Sequence, residues 1–389
     1  MTEAPGVWDV AVIGAGPAGA MAALAAASRG MRVVILERFS LPRYKTCAGG
    51  LVGASLQALP EGFAVPVHAT ATAFTLSFPG AATKTRSAKI PLVSMVHRSE
   101  FDAQLTGRAA AAGAVLYDGV AVTGLSADGN TMRIATRSRG ELRARVVVGA
   151  DGSAGRSSAY VGVRWAQVDL GLEVEVVTPA SQADSWRHRI HLDWGTVPGG
   201  YAWVFPKGAT LSAGVIGARG NPEAARSYLR DFLAERGLGG QETVVSSGHL
   251  TRCRSADSPL YRDRVLVAGD AAGLIDPWTR EGISFALRSG ALAGAAAARA
   301  AAAVSTAECT AALEGYSRDV VATLTPEMEG GRLLRGVFAR HPRIIFLAVA
   351  LLRPAWKFVE RAATGKLSYA GVTRWRALRR LLRALGGPG

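Results

Sequence analysis

Three glycines near the amino terminus are spaced as the binding of a phosphate-containing ligand requires. Residues 14–19 match the pattern G-x-G-x-x-G. In such a turn Gly14 bends the chain, Gly16 lets the backbone approach a pyrophosphate, and Gly19 permits close packing of a helix on a strand. The amide groups at the start of that helix donate to phosphate oxygens. We therefore expect part of a dinucleotide site from Gly14, Gly16, Pro17, Ala18 and Gly19.

An acidic residue follows at the position where such a site contacts ribose. Glu37 lies 23 residues after Gly14, and its carboxylate would accept hydrogen bonds from ribose hydroxyls. Hydrophobic patterning predicts a strand over 8–13, a helix over 17–28 and a strand over 32–36. The order strand, glycine turn, helix, strand and acid makes a dinucleotide site the preferred interpretation, with Glu37 and Arg38 on its ribose side.

Two further predicted strands end in acid-containing turns. Residues 147–152 end in Asp151-Gly152, and residues 265–273 contain Gly269-Asp270 after a buried run. With the glycine turn, these strand ends resemble FAD-binding flavoproteins of the para-hydroxybenzoate hydroxylase type. The resemblance implies that Asp270 binds the ribityl chain of FAD and that Arg98 lies near its diphosphate. Asp151 either contacts the cofactor or serves only as a turn residue.

The segment 276–283 leads into a long predicted helix, from about Glu281 to Val304. A flavin ring at the start of that helix would feel the positive end of the helix dipole, which favours negative charge on the N1–C2=O edge of the reduced flavin. We expect cofactor contacts in this region from Gly269, Asp270, Pro277, Gly282 and Ile283.

An aromatic motif occupies the middle of the chain, where residues 198–206 match P-x-x-Y-x-W-x-F-P. Tyr201, Trp203 and Phe205 share one face of a strand by its period of two. They would form either one wall of a pocket for a long apolar ligand or a surface that packs on a helix. Together with residues 45–51 (Lys-Thr-Cys-Ala-Gly-Gly-Leu) and 276–283, the motif resembles the geranylgeranyl reductase family of flavoproteins over about the first 310 residues.

The resemblance implies an FAD-dependent oxidoreductase that saturates double bonds of an isoprenoid lipid. An isolated alkene has no carbonyl to polarise it, so hydride delivery needs a proton donor. Motif position offers Cys47, Tyr201 and Glu281, and we favour Cys47 because the glycine-rich loop would bring it against the flavin. Cofactor contacts are also expected from Cys47, Ala48 and Gly49.

The electron source is left open by the sequence. No second G-x-G-x-x-G follows a strand, so electrons would come from NAD(P)H bound transiently or from a reduced protein donor. A monooxygenase that hydroxylates or epoxidises an apolar substrate is the alternative enzyme. A halogenase is disfavoured because W-x-W-x-I-P is absent.

Two residues depart from the usual family pattern. Trp278 stands where relatives usually carry leucine, and Arg280 stands where they usually carry glycine. Both enlarge side chains beside the expected flavin, which predicts a shorter pocket or an anionic head group on the substrate. The predicted substrate-binding residues are Tyr201, Trp203, Phe205, Trp278 and Arg280.

Charge is concentrated at the carboxy terminus of the 389-residue chain. The net charge is +15, and residues 335–389 hold twelve cations and one acid, Glu360. The apolar run 344–352 is too short to span a bilayer, so it is either a core helix or a superficial insertion. Residues 374–385 predict a basic amphipathic helix that binds an anionic membrane or docks on the protein itself. We expect peripheral membrane contact through 343–385; nucleic-acid binding remains only a distant alternative.

The remaining composition bounds the fold and the compartment. Apolar residues make up 49% of the chain and charged residues 19%, which excludes a disordered chain. Three unpaired cysteines and no metal-binding pattern favour a reducing compartment, so we expect a cytoplasmic protein, peripheral to the inner membrane face if it binds lipid. The predicted fold class is α/β (α+β), with a discontinuous Rossmann-type FAD-binding domain (1–165 and 259–330), an antiparallel-sheet substrate domain (166–258, joined by 50–97) and a basic helical region (331–389).

Overall fold

The computed structural model describes residues 6–220 and 222–386. Its strands run, in chain order, β1 (Trp8–Ile13), β2 (Val33–Leu36), β3 (Gly50–Leu51), β4 (Ala69–Ala71), β5 (Ala73–Ser77), β6 (Lys84–Ser87), β7 (Val93–Met95), β8 (Val115–Tyr117), β9 (Val122–Asp128), β10 (Thr131–Thr136), β11 (Glu141–Gly149), β12 (Trp165–Val177), β13 (Arg189–Trp194), β14 (Tyr201–Lys207), β15 (Thr210–Ala218), β16 (Thr243–Arg254), β17 (Tyr261–Arg262) and β18 (Val265–Val267). Its helices are α1 (Pro17–Ala27), α2 (Gly53–Gln57), α3 (Arg98–Ala111), α4 (Arg156–Val161), α5 (Ala183–Trp186), α6 (Pro222–Ala234), α7 (Ile283–Ala302), α8 (Thr306–Thr323), α9 (Thr325–Arg340), α10 (Pro342–Leu351), α11 (Arg353–Ala363), α12 (Tyr369–Thr373) and α13 (Arg376–Gly386).

An eight-stranded sheet carries the glycine turn. Its central strands follow the order β18-β11-β1-β2-β8 and pair in parallel, while β9, β10 and β17 add antiparallel edges. The residues of β2 and β18 are fully buried, as expected for parallel strands that are covered on both faces. Strands from both ends of the first 270 residues thus meet in one sheet, although the domain boundaries given above stay a prediction.

Helices α1 and α7 pack closely over this sheet. A β-carbon at Gly290 would lie 2.2 Å from the carbonyl oxygen of Ala18, and one at Gly294 would lie 2.1 Å from that of Ala22. Only glycine allows the two backbones to come so near. This packing brings the start of α7 beside the glycine turn, at the same edge of the sheet.

A seven-stranded sheet, in the order β16-β12-β15-β14-β13-β5-β6, stands beside the first. It is antiparallel except for the β13–β5 pair. One face packs on α6 through a cluster that includes Ala202 and Val204. The other face packs on α9, α10 and α11 through a cluster that includes Trp194, Phe338 and Phe346. A third, three-stranded sheet (β3-β7-β4) completes the fold.

The carboxy-terminal helices form a layer over the second sheet. Helix α10 contains most of the apolar run 344–352, and it is neither wholly buried nor wholly superficial: Phe346, Val349 and Ala350 are buried, whereas Ile344 and Leu351 are exposed. Among the residues described, no helix has the length and apolar character needed to cross a membrane.

Candidate active site

A large cavity of about 1430 Å³ lies between the two larger sheets. Ligand pockets commonly measure about 300–1,000 Å³, so this cavity has room for more than one ligand-sized group. It is bordered by most of the residues that the sequence singled out: Gly14, Gly16, Pro17, Ala18, Glu37, Arg38, Cys47, Ala48, Gly49, Arg98, Asp151, Tyr201, Trp203, Phe205, Asp270, Trp278, Arg280, Glu281, Gly282 and Ile283.

Three predicted cofactor residues do not border the cavity. Gly19 lies behind the turn, where a β-carbon would stand 1.8 Å from the carbonyl oxygen of Gly14. Gly269 is packed against Ala18 and Ala286, with a φ of +56°. Pro277 faces α9, close to Gly331. In this structure these residues allow close packing behind the site.

The glycine turn itself is open towards the cavity. Gly16 caps the amino terminus of α1 without any side-chain cap, so the first amide groups of the helix are left for an external acceptor. A β-carbon at Gly16 would meet only the Arg43 guanidinium, at 3.8 Å. This combination of free amides and open space is what a pyrophosphate needs.

Glu37 is held rigidly at the end of β2. One carboxylate oxygen accepts the Ala15 amide at 2.8 Å, and the other accepts the Phe39 amide at 3.1 Å. The Arg43 guanidinium stands 3.4 Å from the second oxygen. These contacts fix the carboxylate at the cavity wall, in the place predicted for ribose recognition.

A buried carboxylate links two arginines beside the turn. Asp102 accepts from Arg98 Nε at 2.8 Å and from Arg43 Nη1 at 3.0 Å. Burial alone would lower the pKa of Arg98, but its charge interactions and hydrogen bonds with Asp102 and Cys47 together outweigh burial and raise that pKa above its ordinary value. Both guanidinium groups border the cavity, where they are held in fixed positions and are suited to bind a diphosphate. Arg43 and Asp102 were not predicted, although Asp102 lies four residues after Arg98, the spacing of a helical ion pair.

Asp270 also borders the cavity, near two further basic residues, Lys45 and His249. Within the described ranges no donor hydrogen-bonds its carboxylate, and His249 Nε2 lies 4.0 Å from one of its oxygens. Burial and the Lys45 ammonium lower the pKa of His249 to about 4, and its buried Nε2 has no hydrogen-bond partner. An unpaired buried nitrogen beside an open carboxylate marks a place for a polyhydroxyl ligand.

Asp151 borders the same cavity, but its carboxylate is engaged with the protein. Its oxygens accept from the Ser157 amide at 3.1 Å and from the Ser157 hydroxyl. Both contacts hold the start of α4 in place, as expected of a turn residue.

Comparisons with known proteins agree with this geometry. A family model described as "FAD binding domain" matches residues 7–300. The chain is 31% identical over 310 residues to the digeranylgeranylglycerophospholipid reductase of Methanocaldococcus jannaschii, covering 76% of this chain and 78% of the relative. It is 34% identical over 316 residues to digeranylgeranylglycerophospholipid reductase 1 of Methanopyrus kandleri, covering 74% and 79%.

The chain belongs to the geranylgeranyl reductase family of FAD-dependent oxidoreductases.

Solved structures show the same fold. A geranylgeranyl bacteriochlorophyll reductase-like protein from Thermoplasma acidophilum superimposes with a TM-score of 0.77 at 20% identity, covering 97% of this chain and 99% of that one. A flavin-dependent brominase superimposes with a TM-score of 0.73 at 19% identity, covering 97% of each. The predicted cofactor, FAD, and the predicted fold class are thus confirmed.

The loop that contains Cys47 borders the cavity beside Arg98. Cys47 is a partly buried free thiol, and its sulfur accepts the Gly49 amide at 3.3 Å. Its carbonyl oxygen is held at 3.0 Å by Lys207 Nζ, which also binds the buried carboxylate of Glu175. The loop is therefore anchored to β14, the strand of the aromatic motif.

Tyr201 and Glu281 border the cavity but are engaged more fully. The Tyr201 hydroxyl donates to the Thr279 carbonyl, and burial raises its pKa to about 12. Glu281 accepts from the Ser55 hydroxyl at 2.9 Å and the Ser284 amide at 2.8 Å. Burial also raises the pKa of Glu281.

The aromatic motif forms a wall of the cavity. Tyr201, Trp203 and Phe205 point to the cavity side of β14, while Ala202 and Val204 pack on α6. The Tyr201 and Trp203 rings stand 6.2 Å apart. Neighbouring strands extend the apolar lining, which includes Phe74, Leu76, Ile190, Leu192 and Trp194.

Arg280 is oriented towards the protein. Its Nε donates to Asp169 at 3.0 Å, and its terminal nitrogens donate to the carbonyl oxygens of Trp278 and Gly199. Its φ of +58° lies in the left-handed region that favours glycine. The guanidinium ties the loop before α7 to β12 and to the loop before β14.

The carboxy-terminal helices supply the cavity residues that sequence reasoning missed. Trp278 packs between Phe338 of α9 and Tyr369 of α12, at 5.9 and 6.3 Å. Further cavity contacts from this layer are Val349, Phe358, Val359, Ala362, Ala363 and Leu367. The amphipathic spacing of these residues predicts helices with an apolar face, but it does not indicate that this face covers the cavity.

Proposed function

We propose that the protein saturates carbon–carbon double bonds of an isoprenoid lipid, with Cys47 as the proton donor. The observation that carries the proposal is the position of Cys47, which borders the cavity beside Arg98 and has its carbonyl oxygen bound by Lys207 at the end of the aromatic strand. The curated relatives are named as reductases of digeranylgeranylglycerophospholipid. A lipid with geranylgeranyl chains is accordingly the proposed substrate class.

The apolar part of the cavity, here called the apolar arm, suits a prenyl chain. Its walls come from β5, β13 and β14 on one side and from α9, α10 and α11 on the other. Such chains are held mainly by buried apolar area, at ~25 cal/mol per Å². The aromatic wall also keeps water from the reacting carbons, which protects a developing carbocation from side reactions.

FAD, when bound and reduced, supplies a hydride to one alkene carbon. The chain must deliver a proton to the other carbon, and Cys47 is the candidate whose proton is least engaged. Its sulfur accepts a hydrogen bond, which leaves the S–H free, whereas the Tyr201 hydroxyl is committed to Thr279. The positive Arg98 beside Cys47 would stabilise the thiolate that remains.

Electron supply and location complete the proposal. We infer that NAD(P)H or a reduced protein donor delivers electrons to the bound FAD. We further infer peripheral contact with a membrane through residues 343–385, because a lipid with two long chains resides in a bilayer.

Anaerobic turnover tests the proposal. The FAD-loaded protein is reduced with dithionite without oxygen and mixed with a glycerophospholipid bearing geranylgeranyl chains. Mass spectrometry should find two added hydrogens for each bond saturated. A product that forms only in air and gains oxygen would instead identify a monooxygenase.

A matched pair of cysteine variants tests the proton donor. Cys47→Ala should lower kcat by ~10²–10⁴-fold, the usual contribution of a positioned acid, without loss of bound flavin absorbance. Cys309→Ala serves as the control, because this thiol of α8 is buried in the core of the first sheet and does not border the cavity. Undiminished turnover by Cys47→Ala would remove Cys47 from the mechanism.

A further inference from the structure

Helix α10 has an apolar face on each side. Its inner face contributes Phe346, which packs on Phe78 at 5.6 Å, and Val349, which borders the cavity. Its outer face carries Ile344, Leu347 and Leu351, which are 63%, 40% and 55% exposed. We call these three residues, with the adjoining exposed Leu352, the α10 stripe.

The neighbouring helix does not share this exposed apolar face. The next helix, α11, also borders the cavity through its inner face, but it turns Lys357 and Arg361 outwards. A soluble surface helix ordinarily has such a polar outer face. Helix α10 departs from this rule for two turns, and contiguous exposed apolar surface of this kind marks an interaction site.

Cations flank the stripe at both ends. Arg343 and Arg353 are exposed and adjoin it directly in sequence. The one acid of residues 335–389, Glu360, is bound at 2.8 Å by Lys357. The surface around the stripe is therefore apolar at its centre and positive at its ends.

We propose that the α10 stripe docks on an anionic lipid bilayer, lying in the plane of the interface with its leucines among the acyl chains. A ten-residue helix is about 15 Å long, half of the ~30 Å hydrocarbon core, so it inserts without spanning. Arginines at its ends meet lipid phosphates. A second copy of the chain fits this face poorly, because two strongly positive surfaces would oppose each other.

The same helix connects the surface to the cavity. Val349 on its inner face and Val359 on α11 border the apolar arm, so a prenyl chain leaving the bilayer would reach the cavity by passing between these helices. This route rests on the proposed function for its substrate. The docking of the stripe does not depend on turnover.

Vesicle binding by the full-length, FAD-loaded protein tests the proposal. Co-sedimentation is measured with vesicles of phosphatidylglycerol and phosphatidylcholine, and with phosphatidylcholine alone. The wild type should bind the anionic vesicles, and the triple variant Ile344→Ser/Leu347→Ser/Leu351→Ser should bind on the order of tenfold more weakly or worse, because the inserted apolar surface is lost. The charge-reversal variant Arg343→Glu/Arg353→Glu should also lose binding to the anionic vesicles, even at low salt.

A control variant carries the same kind of change, apolar residue to serine, at two positions elsewhere. Val304→Ser/Val321→Ser alters exposed apolar residues outside the stripe and should bind as the wild type does. Unchanged vesicle binding by the triple variant would overturn the proposal. So would a stripe-dependent dimer of the wild type in sedimentation velocity without vesicles, which would identify the occupant as a second copy.

The design separates this inference from the proposed function. A protein that binds anionic vesicles through the stripe but does not reduce isoprenoids refutes only the activity. A protein that reduces a detergent-dispersed isoprenoid but ignores vesicles refutes only the docking surface.

Discussion

Replacing Arg280 with glycine should destabilise this protein even though the backbone there favours glycine. The Arg280 and Asp169 side chains are 3% and 1% exposed and are joined at 3.0 Å. Asp169 has one further donor, the Gln167 amide, and its other oxygen has no partner. Arg280→Gly would therefore leave a buried carboxylate largely uncompensated.

The magnitude follows from two opposing effects. Removing one partner of a buried ion pair costs about 3–5 kcal/mol. Relief of the left-handed conformation at φ +58° returns about 1–2 kcal/mol. The free energy of unfolding should consequently fall by roughly 1–4 kcal/mol.

A double-mutant cycle measures the pair directly. Urea unfolding of Arg280→Gly, Asp169→Asn and the double variant is followed by tryptophan fluorescence at a fixed excess of FAD, since ligand binding shifts apparent stability. The double variant should be more stable than the sum of the single losses predicts, because neither charge is left buried alone. Additive losses, or an Arg280→Gly protein at least as stable as the wild type, would refute the ion-pair reasoning.

Three further predictions follow from the site and the second sheet. Gly16→Ala should weaken FAD binding by ~10–100-fold, the contribution of one charge-assisted hydrogen bond, and leave the fold intact. Gly19→Ala should instead lower the yield of folded protein, because its β-carbon meets the Gly14 carbonyl. Flavin titration measures the first effect and circular dichroism the second, and equal effects of the two variants would contradict the assignment. Burial, then Arg236 and Arg189, lower the pKa of His191 from 6.5 to about 3, so between these values unfolding takes up a proton and the free energy of unfolding decreases as the pH is lowered, by up to ~1.4 kcal/mol per unit. His191→Gln should remove that part of the decrease between pH 7 and pH 5 in urea unfolding, and an unaltered pH dependence would count against the assignment. Trp278→Leu should shift reduction towards longer prenyl chains, because it opens the space between Phe338 and Tyr369. Product analysis with substrates of graded chain length would detect the shift, and an unchanged preference would mean that Trp278 does not limit the cavity.

The nucleotide-binding half was readable from sequence because its signals are local. Strand β1 has the predicted bounds, and α1 ends one residue before the prediction. In both elements a continuous buried run meets a glycine turn. The long helix after residue 281 is α7, which begins at Ile283 and ends at Ala302.

The remaining cavity contacts are products of tertiary structure. Arg280 was expected to face the substrate, but Asp169 lies 111 residues away in sequence, so no local pattern could reveal the ion pair. Glu173 and His249 likewise border the cavity from strands of the second sheet and belong to no motif. Strand register alone brings them there.

The carboxy-terminal charge and the apolar cavity belong to one structural element. Helices α9, α10 and α11 turn apolar side chains towards the cavity and most of their cations outwards, because a helix that closes an apolar space must still present a surface to its surroundings. On α11 that surface is basic, which suits contact with water or with lipid head groups. On α10 it is apolar between two arginines, which water alone would disfavour. If the α10 stripe docks on lipid as proposed, the cations at its ends and on α11 form the rim of a lipid-facing cover on the cavity, while the six cations from Lys366 onwards lie outside that rim.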